Sequence, residues 1–327
     1  MKTAQFWIPE RNKNVTCLLC PNKCLIKNNQ YGQCKIRINK NGTLYCDGYA
    51  KTVSCAIDPI EKKPLYHFYP SKNILSVGVN GCNLNCKFCQ NWQVSQSKKT
   101  TRYISPEDLL KLAKENDSFG IAYTYTEPLI WFEYLMDTCR LSRENSVKSV
   151  LVTNGYISKE PARELLKFVD AVNIDLKSIN PNFYKDVCSG QLQPVLDFIE
   201  LASKTTHTEI TNLLIPSLND SDKDIRALAK TLADINPAIP IHFSAYFPNY
   251  KMDIPPTTIN TMQQAYNIAS EYLSYVYLGN VNCELGKNTY CPKCNNLLVN
   301  RVGYGAKIVG LKNKQCENCG LEIPIVY

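Results

Sequence analysis

Sixteen cysteines are spread over this chain of 327 residues, and eleven of them fall into three tight groups. Cys17, Cys20, Cys24 and Cys34 lie near the start. Cys82, Cys86 and Cys89 follow, and Cys291, Cys294, Cys316 and Cys319 lie near the end. Disulfide-dense chains are usually short and secreted. This one opens MKTAQFWIPERNKN, with no apolar signal core and no small-residue cleavage site. No stretch approaches the roughly 18 consecutive apolar residues of a membrane span. The expectation is a cytoplasmic protein with reduced thiols, away from membranes, whose clustered cysteines hold metal rather than one another. Cys46, Cys55, Cys139, Cys188 and Cys283 stand apart and read as small buried hydrophobes or bystanders.

Hydrophobic residues make up 44% and charged residues 20%, which excludes a disordered tail and provides for a real core. Between the second and third cysteine groups, β-rich runs alternate with helical spacing. The runs start at Ile74, Gly120, Ser149, Ala171, Glu209 and Pro240. Helix candidates begin near Ser105, Pro128, Ser158, Pro194, Ser221 and Thr257. Ser105 and Ser221 are N-cap residues with acids in the following turn, and Ile225, Leu228, Ala229 and Leu232 fall at core spacing. Six strand–helix repeats predict an α/β fold with a mostly parallel sheet, either doubly wound or a partial barrel. In both, ligands gather at the carboxyl ends of the strands. Composition divides the chain into a Cys-rich metal-binding region over 1–60, a core over 61–283 and a Cys-x-x-Cys domain over 284–327.

The central group reads Gly81-Cys82-Asn83-Leu84-Asn85-Cys86-Lys87-Phe88-Cys89-Gln90-Asn91-Trp92. Three thiolates this close suit one metal centre but leave it a ligand short of four. Zinc with a water is one solution. A four-iron cluster with one iron open to a non-protein ligand fits the compact loop better.

This segment resembles the signature loop of the radical S-adenosylmethionine (radical SAM) enzymes, with Phe88 as the aromatic residue before the last cysteine. Tyr125-Thr126-Glu127-Pro128 resembles that superfamily's Gly-Gly-Glu-type motif. Asn173-Ile174-Asp175-Leu176-Lys177 is similar to the Asp-Leu-Lys of glycyl-radical-enzyme activases, and Asn91 also matches that group. A closer resemblance, to the radical SAM component of the AmmeMemoRadiSam system, runs through nearly the whole chain. It includes Cys17 to Cys24, Asp58-Pro59-Ile60-Glu61-Lys62-Lys63-Pro64-Leu65-Tyr66-His67-Phe68, His242-Phe243-Ser244 and Asn288 to Pro292. The chain departs from the activases at Val152, where they carry an acid, and at Ala245-Tyr246-Phe247, where they carry Pro-Tyr-His.

The resemblance implies a partial (β/α)6 TIM-barrel core. It implies a [4Fe–4S] cluster on Cys82, Cys86 and Cys89, and SAM contacts from Phe88, Asn91, Thr126, Glu127, Asn154, Asn173, Asp175 and Lys177. The implied reaction is reductive SAM cleavage to a 5′-deoxyadenosyl radical that abstracts hydrogen from a substrate, in the manner of an activase. A flavodoxin- or ferredoxin-type one-electron reductant and the other AmmeMemo proteins are the implied partners.

Cys291-x-x-Cys294 and Cys316-x-x-Cys319 supply four thiolates for a closed tetrahedron, the pattern of a zinc ribbon. Cys17, Cys20, Cys24 and Cys34 admit either zinc or an auxiliary iron–sulfur cluster. His67 and His242 read as satisfied buried histidines ahead of site residues. The excess of 37 Lys and Arg over 29 Asp and Glu, +8, is compatible with a nucleic-acid partner without requiring one. A zinc-rich nucleic-acid-binding protein is therefore the competing class, but it leaves Glu127 and Asp175-Leu176-Lys177 unexplained.

Overall fold

The computed structural model describes residues 1–327. Eight strands form the main sheet. They are β1 (Ser54–Pro59), β2 (Asn73–Gly78), β3 (Gly120–Tyr123), β4 (Lys148–Thr153), β5 (Ala171–Asp175), β6 (His207–Leu214), β7 (Ile241–Ala245) and β8 (Val276–Gly279). Strands β2 to β8 are parallel, and β1 is antiparallel to β2. Spatial order follows chain order throughout, with no reversal. Right-handed crossovers in one direction carry the connecting helices to one face, so a doubly wound sheet is excluded. The edge strands β1 and β8 pair with nothing on their outer sides, so the sheet is open.

The helices are α1 (Pro106–Glu115), α2 (Phe132–Glu144), α3 (Lys159–Leu166), α4 (Gln193–Ser203), α5 (Asp222–Ile235) and α6 (Ile259–Ser270). The caps read from sequence form: Ser105 Oγ accepts from Asp108 N at 3.1 Å and Ser221 Oγ from Asp224 N at 3.2 Å. On α5, Ile225, Leu228, Ala229 and Leu232 are the buried residues, as their spacing predicts.

The six-strand expectation falls short by two. β8 is a run of only four residues. β1 shows no alternation, because Cys55, Ala56 and Ile57 on this edge face solvent. Although Ser54–Pro59 precedes residue 61, it hydrogen-bonds along the whole of β2. One continuous apolar core runs from Ala4 through Val15 and Leu44 to Leu278, so the N-terminal region packs into the main core. A separate small core of eight residues joins Tyr275 and Tyr277 to Leu298, Val299, Ile323 and Ile325.

The Asp58–Phe68 block is a structural brace. Asp58 takes Lys62 Nζ at 2.8 Å, Lys63 Nζ at 2.6 Å and Tyr125 Oη at 2.7 Å. The amides of Tyr66 and His67 donate to Glu209 at 3.0 and 2.7 Å. His67 Nε2 meets Tyr277 Oη at 2.6 Å, and Arg301 donates to the Tyr66 carbonyl at 2.8 Å. The block thus ties the sheet to the C-terminal segment. No helix is long and apolar enough to cross a membrane.

Candidate active site and metal centres

The carboxyl ends of β2 to β7 open into one cavity. About 840 Å³ of space, open solvent at the mouth included, lies among its walls. Cys82, Cys86, Phe88, Cys89 and Asn91 line it from the loop after β2. Thr126 and Glu127 reach it after β3, Asn154 after β4, and Asp175 with Lys177 from β5. Ten of the eleven residues that the sequence assigned to the open cluster and SAM therefore share one cavity.

Asn173 is the exception. It is fully buried in β5, where Nδ2 donates to the Pro64 carbonyl at 2.7 Å and Oδ1 accepts from Thr211 Oγ1 at 2.8 Å. Strand alternation points Asn173 and Asp175 to the same face, but only the terminal residue reaches the mouth. Asn173 is a buried strut within β5 and does not line the cavity. His67 and His242 also lie outside the cavity, in the Glu209 brace, as satisfied buried histidines.

Glu127 is held on three sides. Its carboxylate accepts from Thr153 Oγ1 at 2.6 Å, Asn154 N at 2.8 Å and Leu129 N at 2.9 Å. Burial pushes its carboxyl up to about 7 despite these bonds. Asp175 pairs with Lys177 at 2.7 Å, placing both signs of charge on one wall. Neighbouring Tyr125 adopts a left-handed φ of 71°, a strain typical of working sites, and its hydroxyl is pinned by Asp58.

The sulfur atoms have donors around them. Leu84 N lies 3.4 Å and Asn154 Nδ2 3.6 Å from Cys82 Sγ, and Ser95 Oγ lies 3.2 Å from Cys89 Sγ. Hydrogen bonding with the Cys188 sulfur, followed by burial, holds the Cys86 thiol well above its ordinary range. Burial does the same for Cys82.

Sequence reading missed Ser95, Thr211, Ser244 and Cys188. Thr211 and Ser244 sit in β6 and β7 and line the same cavity. Their position on predicted strands was the available signal. Cys188, read as a bystander, closes a π-turn over Tyr184–Cys188. Its carbonyl accepts from Asn85 N at 2.9 Å inside the cysteine loop.

The loop also depends on Gly81, at φ +94°. A Cβ there would stand 2.1 Å from the Cys34 carbonyl oxygen. Gly81→Ala is expected to displace the loop, with strain of roughly 1–3 kcal/mol or more. Thermal unfolding and bound iron should both fall; a variant matching the parent in both would contradict this packing.

The C-terminal four differ in kind. Cys291 and Cys319 sulfurs are 3.5 Å apart, and Cys294 and Cys316 3.6 Å. All four lie within 4.8 Å of one another, the one such metal-ligand group in the chain. A tetrahedral ion with bonds of about 2.3 Å needs sulfurs about 3.8 Å apart. The four residues fit a single closed metal ion. They are carried by a three-stranded antiparallel sheet of Thr289–Tyr290, Leu297–Val302 and Gly305–Ile308, and by the hairpin of Leu311–Lys312 and Gln315–Cys316.

A family model described as the radical SAM superfamily matches residues 76–232, which supply every residue lining this cavity except Ser244. The chain carries a radical SAM domain. It is 44% identical over 335 residues to an uncharacterized protein of Methanocaldococcus jannaschii, with 100% of both chains covered. To the pyruvate formate-lyase-activating enzyme of Clostridium pasteurianum it is 28% identical, over 49% of this chain and 69% of the relative. To the pyruvate formate-lyase 1-activating enzyme of Escherichia coli K12 it is 25% identical, over 59% and 86%. The crystal structure of Streptococcus suis SuiB matches the fold alone, with a TM-score of 0.50 and 15% identity over 67% of this chain and 49% of that one. The radical SAM domain implies a [4Fe–4S] cluster and SAM. Neither the relatives nor the fold support the nucleic-acid-binding alternative.

Proposed function

We propose that the chain is a radical SAM enzyme whose cluster is held by Cys82, Cys86 and Cys89. The observation that carries this reading is their convergence, at the carboxyl ends of parallel strands, with Thr126, Glu127, Asn154, Asp175 and Lys177. The donor set fits: three thiols, hydrogen-bond donors on two of them, and a polar wall opposite. Bound together, cluster and SAM supply a 5′-deoxyadenosyl radical after one electron is added.

The chain's own residues bind and orient. Cys82, Cys86 and Cys89 would hold the cluster and leave room for one non-protein ligand, the amino-acid end of SAM. Glu127, fixed by Thr153 and the Asn154 amide, would receive the SAM amino group. Lys177 and Asp175 offer opposite charges to the carboxylate and ribose. Phe88, 4% exposed, provides an apolar face for adenine. Backbone and side-chain donors at Cys82 and Cys89 tune the cluster's potential. The buried walls exclude water from a reactive radical. We read the open, singly wound sheet as a partial barrel.

The substrate step is proposed as an activase-like hydrogen abstraction, carried over from the pyruvate formate-lyase-activating relatives. Val152 and Ala245-Tyr246-Phe247 depart from the activases, so their SAM-carboxylate contacts and peptide handling are not carried over. A flavodoxin- or ferredoxin-type carrier and the AmmeMemo proteins are the proposed partners. The test is electron paramagnetic resonance of the anaerobically reduced protein with and without SAM. A spectrum reshaped by SAM supports an open iron, and a cluster signal blind to SAM rejects it.

The C-terminal group is proposed as structural zinc. Cys316→Ser is expected to lose one zinc per chain and to loosen the small core around Leu298 and Ile323. Unchanged zinc by elemental analysis would refute the assignment.

A further inference from the structure

The N-terminal cysteines are left over from this account. Cys17 closes a short strand, Val15–Cys17, and its amide donates to the Cys24 carbonyl at 3.0 Å, folding Cys20 into the loop between. Cys34 is buried nearby, whereas Cys20 and Cys24 are partly exposed. Cys17 and Cys34 are thus the deeper pair, and Cys20 and Cys24 the pair nearer the surface.

Three observations bear on what it holds. First, its sulfurs do not gather within 4.8 Å, as those of the C-terminal group do. In this they resemble Cys82, Cys86 and Cys89. A single tetrahedral ion draws four sulfurs together; a four-iron cube binds each at a different corner and wants them further apart.

Second, a cation is buried beside them. Arg37 is 1% exposed, its Nη1 lies 3.8 Å from Cys17 Sγ, and its Nε has no partner. Its guanidinium also pairs with the fully buried Glu133. Glu133 balances its charge and the Gln5 carbonyl accepts from Nη1 at 3.0 Å, so Arg37 brings to Cys17 a buried charged donor of the kind that stabilises a metal-bound thiolate.

Third, the group is pressed onto the radical SAM loop. The Cys34 carbonyl occupies the space a Gly81 side chain would need. Asn22 Nδ2 donates to the Asn83 carbonyl at 2.7 Å, with Gln33 Nε2 at 3.4 Å from the same oxygen. Asn83 in turn accepts from Asn154, which contacts Cys82 Sγ. Covalent and hydrogen-bonded links thus run from Cys34 to Cys82 without a solvent gap. A purely structural ion needs no such adjacency.

We propose that Cys17, Cys20, Cys24 and Cys34 bind an auxiliary iron–sulfur cluster that relays single electrons to the radical SAM centre. The donor is a low-potential flavodoxin- or ferredoxin-type carrier, oxidised by one electron at the Cys20 and Cys24 side. The acceptor, reduced by one electron, is the cluster on Cys82, Cys86 and Cys89. No proton or group moves. The relay rests on the radical SAM reading above; the auxiliary cluster itself does not.

The experiment separates the two. The parent chain, reconstituted anaerobically, should hold about eight iron and about eight sulfide. The Cys82→Ala/Cys86→Ala/Cys89→Ala variant should keep about four of each, with a spectrum that ignores SAM. Zinc in place of iron in that variant overturns the auxiliary cluster, whatever happens at the radical SAM site. A parent whose reduced spectrum ignores SAM overturns the radical SAM reading instead. For the relay, SAM cleavage driven by flavodoxin is compared with cleavage driven by dithionite. In Cys20→Ala/Cys24→Ala their ratio should fall by about tenfold or more, and an unchanged ratio overturns the relay. Arg37→Lys, which keeps a cation, should retain the iron and shift the auxiliary cluster's midpoint potential; a potential equal to the parent's overturns the role given to Arg37.

Discussion

Cys86→Ala will leave a protein without SAM cleavage and with about four fewer irons per chain, against the parent measured alongside. Cys86 lines the cavity between Phe88 and Lys177, and its loop is held by Asn85 and Lys87 amides bonded to the carbonyls of Cys188 and Val187. With two thiolates left, the cluster has no stable seat, and an alanine supplies neither charge nor ligand. Fold should survive, because the loop's backbone bonds do not use the sulfur. Iron analysis and circular dichroism together test this. A variant that keeps iron and turnover would place the cluster elsewhere, and Cys188, beside Cys86, would be the first residue to examine.

Glu209→Ala should be the most damaging substitution away from the cavity. The carboxylate is fully buried and receives four donors: the amides of Tyr66 and His67, and Nε2 of His207 and His242 at 2.9 and 2.7 Å. Removing it strands all four, at a cost of about 3–5 kcal/mol. Burial alone would raise its pKa, but the bonds from His207 and His242 hold it well below the ordinary range. Its stabilisation is present above the unfolded carboxyl's pKa and lost as pH falls through the folded one.

His67 adds to this with the same sign. Burial pushes it down to about 3, so the folded state refuses a proton that the unfolded chain accepts below about 6.5. Between pH 7 and pH 5 this removes about 2 kcal/mol of stability. Urea unfolding at the two pH values measures it. His67→Gln should narrow the difference, and a stability independent of pH over this interval would contradict the buried neutral histidine.

Much of this architecture is legible in the sequence. Cysteine spacing carries the chemistry because metal ligands must be close, and loops bring them close with few intervening residues. Caps at Ser105 and Ser221 are local, so they read correctly. The parallel strands read as apolar runs because both faces are buried. What stays hidden is non-local. β1 carries Asp58-Pro59 and an exposed face, and only pairing with β2 makes it a strand. Asn173 and Asp175 look equivalent two residues apart, yet one braces Pro64 and the other lines the cavity. Cys188 comes to Cys86 through tertiary packing, with no spacing to announce it. The single winding of the sheet depends on which strands become neighbours, and periodicity carries no such information.

If three thiolates at the strand ends leave an iron free for SAM, anaerobic incubation of the iron-loaded protein with SAM and dithionite will yield, by chromatography, 5′-deoxyadenosine and methionine in equal amounts, dependent on reductant and absent from Cys86→Ala. A protein fully loaded with iron that forms no 5′-deoxyadenosine, or forms it equally well without Cys86, would contradict this.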